Sequence, residues 1–171
     1  MKTSKTYLTY EEVEQLADNI VGQLKKDDWI PSVVVGLTRG GLLPAVLLSH
    51  RLKIPMCSLD ISLRDYSDHP FGGTTSTWIP EEINNGHKIL VVDDINDTGA
   101  TFEWIKSDWY RTVQLYRKPT NADTWPWNFI KFAALIHNQP SSQPSNYYGR
   151  TIDKNQDPSW IIFPWENQKN V

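Results

Sequence analysis

Asp93 and Asp94 are adjacent carboxylates that close the apolar run "ILVV", and Asp97, Thr98, Gly99, Ala100 and Thr101 follow just behind. Ionised carboxylates only accept hydrogen bonds. Side by side on an extended segment they point to opposite sides. They suit sugar hydroxyls, or a Mg2+ held through hydroxyls and water. The "DTGAT" stretch enters a helix, whose N-terminus offers unpaired N–H groups and a partial positive charge. Gly99 lets backbone come close to an anion, and Thr98 and Thr101 add hydroxyl donors. By mechanism this is a phosphate cradle. Residues 89–101 can therefore grip a sugar phosphate at both ends. The plainer alternative is an N-cap at Asp97 followed by a solvated acidic turn. Other phosphate and metal loops fail on residues: there is no G-x-x-x-x-G-K-[ST], and no G-x-G-x-x-G follows a strand. A calcium loop starting at Asp94 fits Asn96 and Gly99, but its twelfth position is Ile105 rather than Glu.

The elements around this stretch set its position. Thr9 with Glu12 forms a capping box, and Leu8 with Val13 a hydrophobic staple. Val13, Leu16, Ala17, Ile20, Val21 and Leu24 then share one stripe, so a helix is predicted over 10–26. "SVVVGL" (32–37) reads as a buried strand and "LLPAVLLSHRL" (42–52) as a helix with Pro44 in its first turn. "IPMCSLDISL" is a second strand, giving a right-handed parallel crossover. "KILVV" is a third strand, and Ala100–Trp109 reads as a helix. "FIKFAALIH" and "SWIIF" are further strands. Residues 62–87, 116–128 and 138–146 read as loops. Alternating strands and helices predict an α/β fold: a mostly parallel twisted sheet flanked by helices. In such sheets ligands bind beyond the carboxyl ends of the strands, where Asp93 and Asp94 lie.

Composition narrows the class. A chain of 171 residues fits one domain, and 39% hydrophobic with 22% charged is ordinary for a globular protein. The net charge of −3 offers no basic field for nucleic acid. Cys57 is the single cysteine, which suits a reducing compartment. No apolar run reaches membrane-spanning length, and the first residues lack a signal-peptide core. A cytoplasmic protein with no membrane partner is the expectation. The eight tryptophans serve packing and interfaces, with one or two available to stack on a flat ligand.

"ILVVDDINDTGAT" resembles the phosphoribosyl pyrophosphate (PRPP) motif of the type I phosphoribosyltransferases: an apolar run, two acidic residues, two variable positions, then Asp-Thr-Gly-x-Thr. "GLTRGG" resembles that family's pyrophosphate loop, and "SNYYG" and "WIIFPWE" resemble the base-binding end of its xanthine-guanine branch. The resemblance runs from Ser32 to Glu166. It implies transfer of a phosphoribosyl group from PRPP to a 6-oxopurine with Mg2+ as cofactor. The chain would then be one domain over 1–171, with 62–87 as a mobile hood and 137–171 as the base-binding segment. Asp93 and Asp94 would take the ribose hydroxyls, and Asp97 to Thr101 the 5-phosphate. Thr38, Arg39, Gly40 and Gly41 would take pyrophosphate, with a cis peptide expected at Thr38–Arg39 and Arg64 reaching in from the hood. Asp97 would also accept the proton lost from the base, with helix capping as its simpler role. Trp160 would stack on the purine, unless it packs in the core, and Ile161 would offer backbone groups. Asp94 and Glu166 would sit near the metal. One departure stands out: where purine enzymes carry a lysine before a Pro, this chain has Asn138 and Gln139, with Lys118 as an alternative donor. A homodimer or homotetramer is implied. The competing classes are a PRPP- or nucleotide-binding regulator without turnover, and a Mg2+-dependent phosphohydrolase. For the latter His50, His69, His87 and His137 show no metal spacing.

Overall fold

The computed structural model describes residues 4–61, 86–116 and 128–166. The chain runs β1 (Lys5–Tyr7), α1 (Tyr10–Lys26), β2 (Val33–Leu37), α2 (Leu42–Leu52) and β3 (Met56–Leu59). It continues with β4 (Ile89–Asn96), α3 (Ala100–Tyr116), β5 (Ile130–Asn138), β6 (Tyr147–Ile152) and β7 (Trp160–Ile162). Five strands form a wholly parallel sheet in the order β3-β2-β4-β5-β6, and β1 pairs with β7 in a separate parallel ribbon. This is the predicted α/β architecture.

Both faces of the sheet are covered, which is why its strands read as unbroken apolar runs rather than alternating ones. On one face Leu90, Val92, Ala133 and Leu135 pack with Val13, Ile20 and Leu24 of α1 and Ala45 and Leu48 of α2. On the other face Ile89, Val91, Phe132 and Ala134 pack with Phe102, Ile105 and Trp109 of α3. Each such buried aliphatic or aromatic side chain stabilises the fold by about 1.5–3 kcal/mol relative to exposure. The capping box forms as the sequence predicts: the Glu12 N–H donates to Thr9 Oγ1 at 3.1 Å and Glu12 Oε2 accepts from the Thr9 N–H at 2.7 Å.

Several sequence expectations need correction. β4 does not stop at Val92 but carries Asp93 and Asp94 within the strand, paired to β5 as far as Asn96 and His137. α3 runs beyond Trp109 to Tyr116, and the second strand shrinks to Met56–Leu59. β1 and β6 were not expected. β6 lies parallel to β5 although only residues 139–146 connect them. A parallel connection is normally a dozen residues or more, usually a helix. Here the return is made by turns and bends without a helix, which polar bonds to Asn96 and Thr98 hold beneath the acidic stretch.

Candidate functional site

Asp93 to Phe102, Thr38, Arg39 and Gly40, with Ile61, Trp165 and Glu166, line one cavity of about 830 Å³ at the carboxyl end of the sheet. The β2–α2 and β4–α3 turns meet there because β2 and β4 are sheet neighbours. Contact between the two turns is close enough to exclude side chains. A Cβ on Gly40 would sit 2.0 Å from Asp94 Oδ2. Asp94 Oδ1 accepts from the Ile95 N–H at 2.7 Å, and Asp93 Oδ1 from the Asp94 N–H at 3.0 Å. Burial pushes the Asp94 carboxyl up from the usual 3.8 to about 6, the Ile95 N–H pulls against that rise, and the charge of Glu166 adds to it. The Thr38–Arg39 peptide is cis. Thr38 Oγ1 donates to Asp60 Oδ1 at 2.6 Å, which anchors the start of the β2–α2 turn, and Arg39 is exposed at its tip.

The turn before α3 is braced from below. Gly99 has φ +90°, a conformation side chains disfavour, and a Cβ there would lie 2.5 Å from the Gln143 backbone nitrogen. The Thr98 carbonyl accepts from the Ser142 N–H at 2.9 Å and from Ser142 Oγ at 3.0 Å. Thr98 to Thr101, at the start of α3, line the cavity, and a helix start leaves its first amides without intrahelical partners. The Ala100 N–H lies 3.3 Å from Thr98 Oγ1, a long local bond that an anion can replace. Below, the buried Asn96 side chain donates to the Gln143 carbonyl at 2.6 Å and Ser145 Oγ at 3.1 Å, and accepts from Ser141 Oγ at 3.1 Å. Asn96 Nδ2 also lies 3.3 Å from His137 Nδ1. Each net bond of this kind contributes about 0.5–1.5 kcal/mol. Asn96 therefore fastens the β5–β6 return beneath the turn.

The other side of Asp97 is occupied differently. Lys154 Nζ lies 2.7 Å from Asp97 Oδ2, and Asn138 Nδ2 lies 3.2 Å from Asp97 Oδ1 and 3.1 Å from its carbonyl. Asn138 Oδ1 accepts the Lys154 backbone N–H at 3.0 Å. Trp160 is 46% exposed, so it does not pack in the core, and Lys154 Nζ lies 5.4 Å from its ring centroid. In the β1–β7 ribbon the Trp160 N–H goes to Ser4 and the Ile162 carbonyl accepts from Leu8. Bonding residues alternate along a strand. The backbone groups of Ile161 therefore point away from β1, to the ribbon's other edge, while its side chain is buried. Glu166 Oε2 accepts from the Phe163 N–H at 3.0 Å, and Trp165 stacks on Phe163 with centroids 4.7 Å apart.

A family model described as "Phosphoribosyl transferase domain" matches residues 4–168. The chain belongs to this family. Among relatives of phosphoribosyltransferase name, the xanthine-guanine phosphoribosyltransferase of Cereibacter sphaeroides is 30% identical over 135 residues, 78% of this chain and 68% of that protein. The hypoxanthine-guanine phosphoribosyltransferase of Schizosaccharomyces pombe is 23% identical over 98% of this chain and 92% of its own. The crystal structure of a purine phosphoribosyltransferase from Pyrococcus horikoshii superposes with a TM-score of 0.66 at 26% identity, covering 98% of this chain and 97% of that one.

Within this phosphoribosyltransferase fold, the structure brings together Thr38, Arg39, Gly40, Asp93, Asp94, Asp97 to Thr101 and Glu166 around one cavity. Gly41 lies beneath that wall, its N–H bonded to Leu37, where it starts α2. Trp160, Ile161 and Gln139 are not among the cavity's lining residues, and Trp160 is tied to it through Lys154 and Asp97. Gln139 is exposed, with its N–H given to Ile152. Asn138 is not a donor waiting for a ligand: both ends of its amide are spent on Asp97 and Lys154. Arg64, Lys118 and nearly all of the proposed 62–87 hood lie outside the described residues. Sequence reasoning missed Lys154, Trp165 and Asn96. Trp165 carried a signal, since it sits in "WIIFPWE" next to Glu166; Lys154 stands in a polar turn with nothing to mark it.

Proposed function

We propose that the chain transfers the 5-phosphoribosyl group of PRPP to a ring nitrogen of a 6-oxopurine, namely xanthine, guanine or hypoxanthine. The products are a nucleoside 5'-monophosphate and pyrophosphate. The observation that carries this reading is the shared cavity, in which an acidic strand end, a helix start and a glycine turn converge. In this reading Asp93 and Asp94 accept from the ribose 2- and 3-hydroxyls. The amides and hydroxyls of Thr98 to Thr101 hold the 5-phosphate. Thr38 to Gly41 hold pyrophosphate, with the Arg39 guanidinium as charge partner. Breaking the C1–oxygen bond builds positive charge on the ribose, which the carboxylates above it stabilise. Asp97 takes the proton that the base nitrogen loses on attack.

Mg2+ fits the donor set here. Among the described residues no group of three or more His, Cys, Asp or Glu forms a metal cage, but Asp94 and Glu166 are close enough to interact. Mg2+ usually keeps its waters and takes one or two carboxylates plus substrate oxygens. When bound it neutralises charge on the leaving pyrophosphate. The same reading takes 1–171 as a single domain, 62–87 as a hood that excludes water and 137–171 as the base-binding segment. It makes the enzyme a cytoplasmic homodimer or homotetramer. No described helix is long and apolar enough to cross a membrane.

Incubation with PRPP, Mg2+ and single bases tests the reading. Nucleotide and pyrophosphate from an oxopurine support it. PRPP binding without turnover for any base supports the regulator instead, and phosphate release without a base supports a hydrolase.

A further inference from the structure

Directly behind the turn that opens α3 lies a buried polar cluster. Asn96, His137 and Ser145 are 4%, 6% and 7% exposed. The Asn96 amide has its orientation decided for it: Nδ2 lies 2.6 Å from the Gln143 carbonyl, which can only accept, and Oδ1 takes the Ser141 hydroxyl at 3.1 Å. His137 Nδ1 faces the same Nδ2 at 3.3 Å, so it too is an acceptor. Burial pushes that imidazole below its ordinary 6.5, toward the neutral form an acceptor requires. Gln143 is held a second time, its Oε1 accepting from Lys106 Nζ of α3 at 2.7 Å. Gly99 packs against this return with no room for a side chain: a Cβ there would lie 2.5 Å from the Gln143 nitrogen and 2.7 Å from Ser141 Oγ. Ser142 gives both its N–H and its hydroxyl to the Thr98 carbonyl. The β5–β6 return thus grips the turn before it, within it and after it.

We propose that Asn96 is a positioning residue for the 5-phosphate: it holds residues 141–145 as a template against which the turn of residues 97–101 is set. The proposal rests on the phosphate assignment in the transferase reading. An anion held by backbone amides needs several N–H groups aimed at one point, and a misplacement of about 1 Å costs about 10²-fold. Gly99, at φ +90°, is the pliant point of this turn. The local bond beside it, from the Ala100 N–H to Thr98 Oγ1, is 3.3 Å long and weak, so the return supplies the fixing. Both ends of the Asn96 amide are spent on that return, so the residue acts on a ligand through the turn. Losing the amide takes from the buried Gln143 carbonyl its shorter bond and lets the return shift, with Thr98 and Gly99 following. The turn of residues 38–41 meets β4 at Asp94, through Gly40, and not at this cluster. The effect is therefore confined to the 5-phosphate half of the cavity.

The test uses the full chain, with PRPP and Mg2+ in calorimetry and with hypoxanthine added for steady-state kinetics. Asn96→Ala removes the amide; Ser142→Ala, at an exposed position, removes only the hydroxyl that reaches Thr98. In Asn96→Ala PRPP binds about 10–100-fold more weakly, while the inhibition constant of pyrophosphate and the base KM at saturating PRPP stay within about twofold. The turnover number at saturating PRPP falls far less than the PRPP KM rises. Ser142→Ala weakens PRPP about two- to tenfold with the same selectivity, the worth of one hydrogen bond. Thermal melting of both variants establishes that they are folded. Unchanged PRPP affinity in folded Asn96→Ala overturns the proposal. An equal loss of pyrophosphate affinity overturns it too, since the return then supports the whole site. If Asn96→Ala does not fold, Ser142→Ala decides: the selective loss supports the proposal and unchanged PRPP affinity overturns it. A wild type that binds no PRPP overturns the phosphate assignment itself, before any variant is made.

Discussion

On the phosphate side of the cavity, Asp93, Asp94 and residues 97–101 come from nine consecutive positions, and the Thr98 carbonyl and the Asn96 side chain are pinned from beneath by the β5–β6 return. On the base side, Asp97 meets Asn138, Lys154 and, through Lys154, Trp160, each from a separate segment. In the first half the helix start carries only a long local bond, from the Ala100 N–H to Thr98 Oγ1 at 3.3 Å. The second has its charges already paired to one another. In the proposed reading the sugar-phosphate grip is local in sequence, while a base would have to exchange partners with the Asp97–Lys154 pair and the Asn138 amide.

Asp97 belongs to both halves, so changing it has the largest expected effect. Asp97→Asn lowers turnover by about 10²–10⁴-fold, the usual worth of a positioned proton acceptor. PRPP binding survives in that variant, because the amides of the turn remain. Steady-state kinetics beside PRPP calorimetry checks both statements; unchanged turnover in a folded variant removes Asp97 from the chemistry. Gly40→Ala attacks the phosphate side alone. Its Cβ would sit 2.0 Å from Asp94 Oδ2, so the carboxylate must move, and PRPP affinity falls on the order of tenfold or more. The base inhibition pattern is expected to stay the same.

The sequence made the first half legible because its chemistry is contiguous: strand, carboxylates, glycine and helix start follow one another without a break. The cores were legible for the same reason, since Leu90 and Val92 against Ile89 and Val91 already announce a sheet covered on both faces. The second half depends on separations of 57 residues between Asp97 and Lys154 and 155 between Ser4 and Ser159. β1 has three residues, too few to show a period, whereas the equally short β7 is legible as the apolar run "SWIIF". β6 alternates buried Tyr147 and Gly149 with exposed Tyr148, but a buried glycine carries no hydrophobic signal. A lysine in "DKNQD" reads as solvated until the fold lays it on Asp97. Asn138 looked like a donor for the base and is instead the clamp that holds the Asp97–Lys154 pair.

Acidity sharpens the comparison further. The Asp94 carboxyl is raised to about 6, so the folded chain holds its proton more tightly than the unfolded chain. That contribution to stability is present below the ordinary 3.8 and is lost as pH rises through about 6. Ligand binding has the opposite sign, because hydroxyls and Mg2+ need the ionised form. PRPP affinity therefore drops about tenfold per pH unit below that point, with a proton released on binding. Calorimetry in buffers of different ionisation enthalpy detects that proton, and Asp94→Asn abolishes it. The smallest effect is that of Glu166→Gln. Removing that charge takes away one cause of the rise, so the midpoint of the pH dependence of PRPP binding measured without Mg2+ moves downward, while affinity at neutral pH under those conditions changes little.

The most direct measurement is a crystal structure with PRPP and Mg2+ bound. The account predicts the ribose hydroxyls on Asp93 and Asp94, and the 5-phosphate about 3 Å from the amides of residues 98–101. An empty turn, or a phosphate held elsewhere while those amides stay bonded to protein, contradicts it.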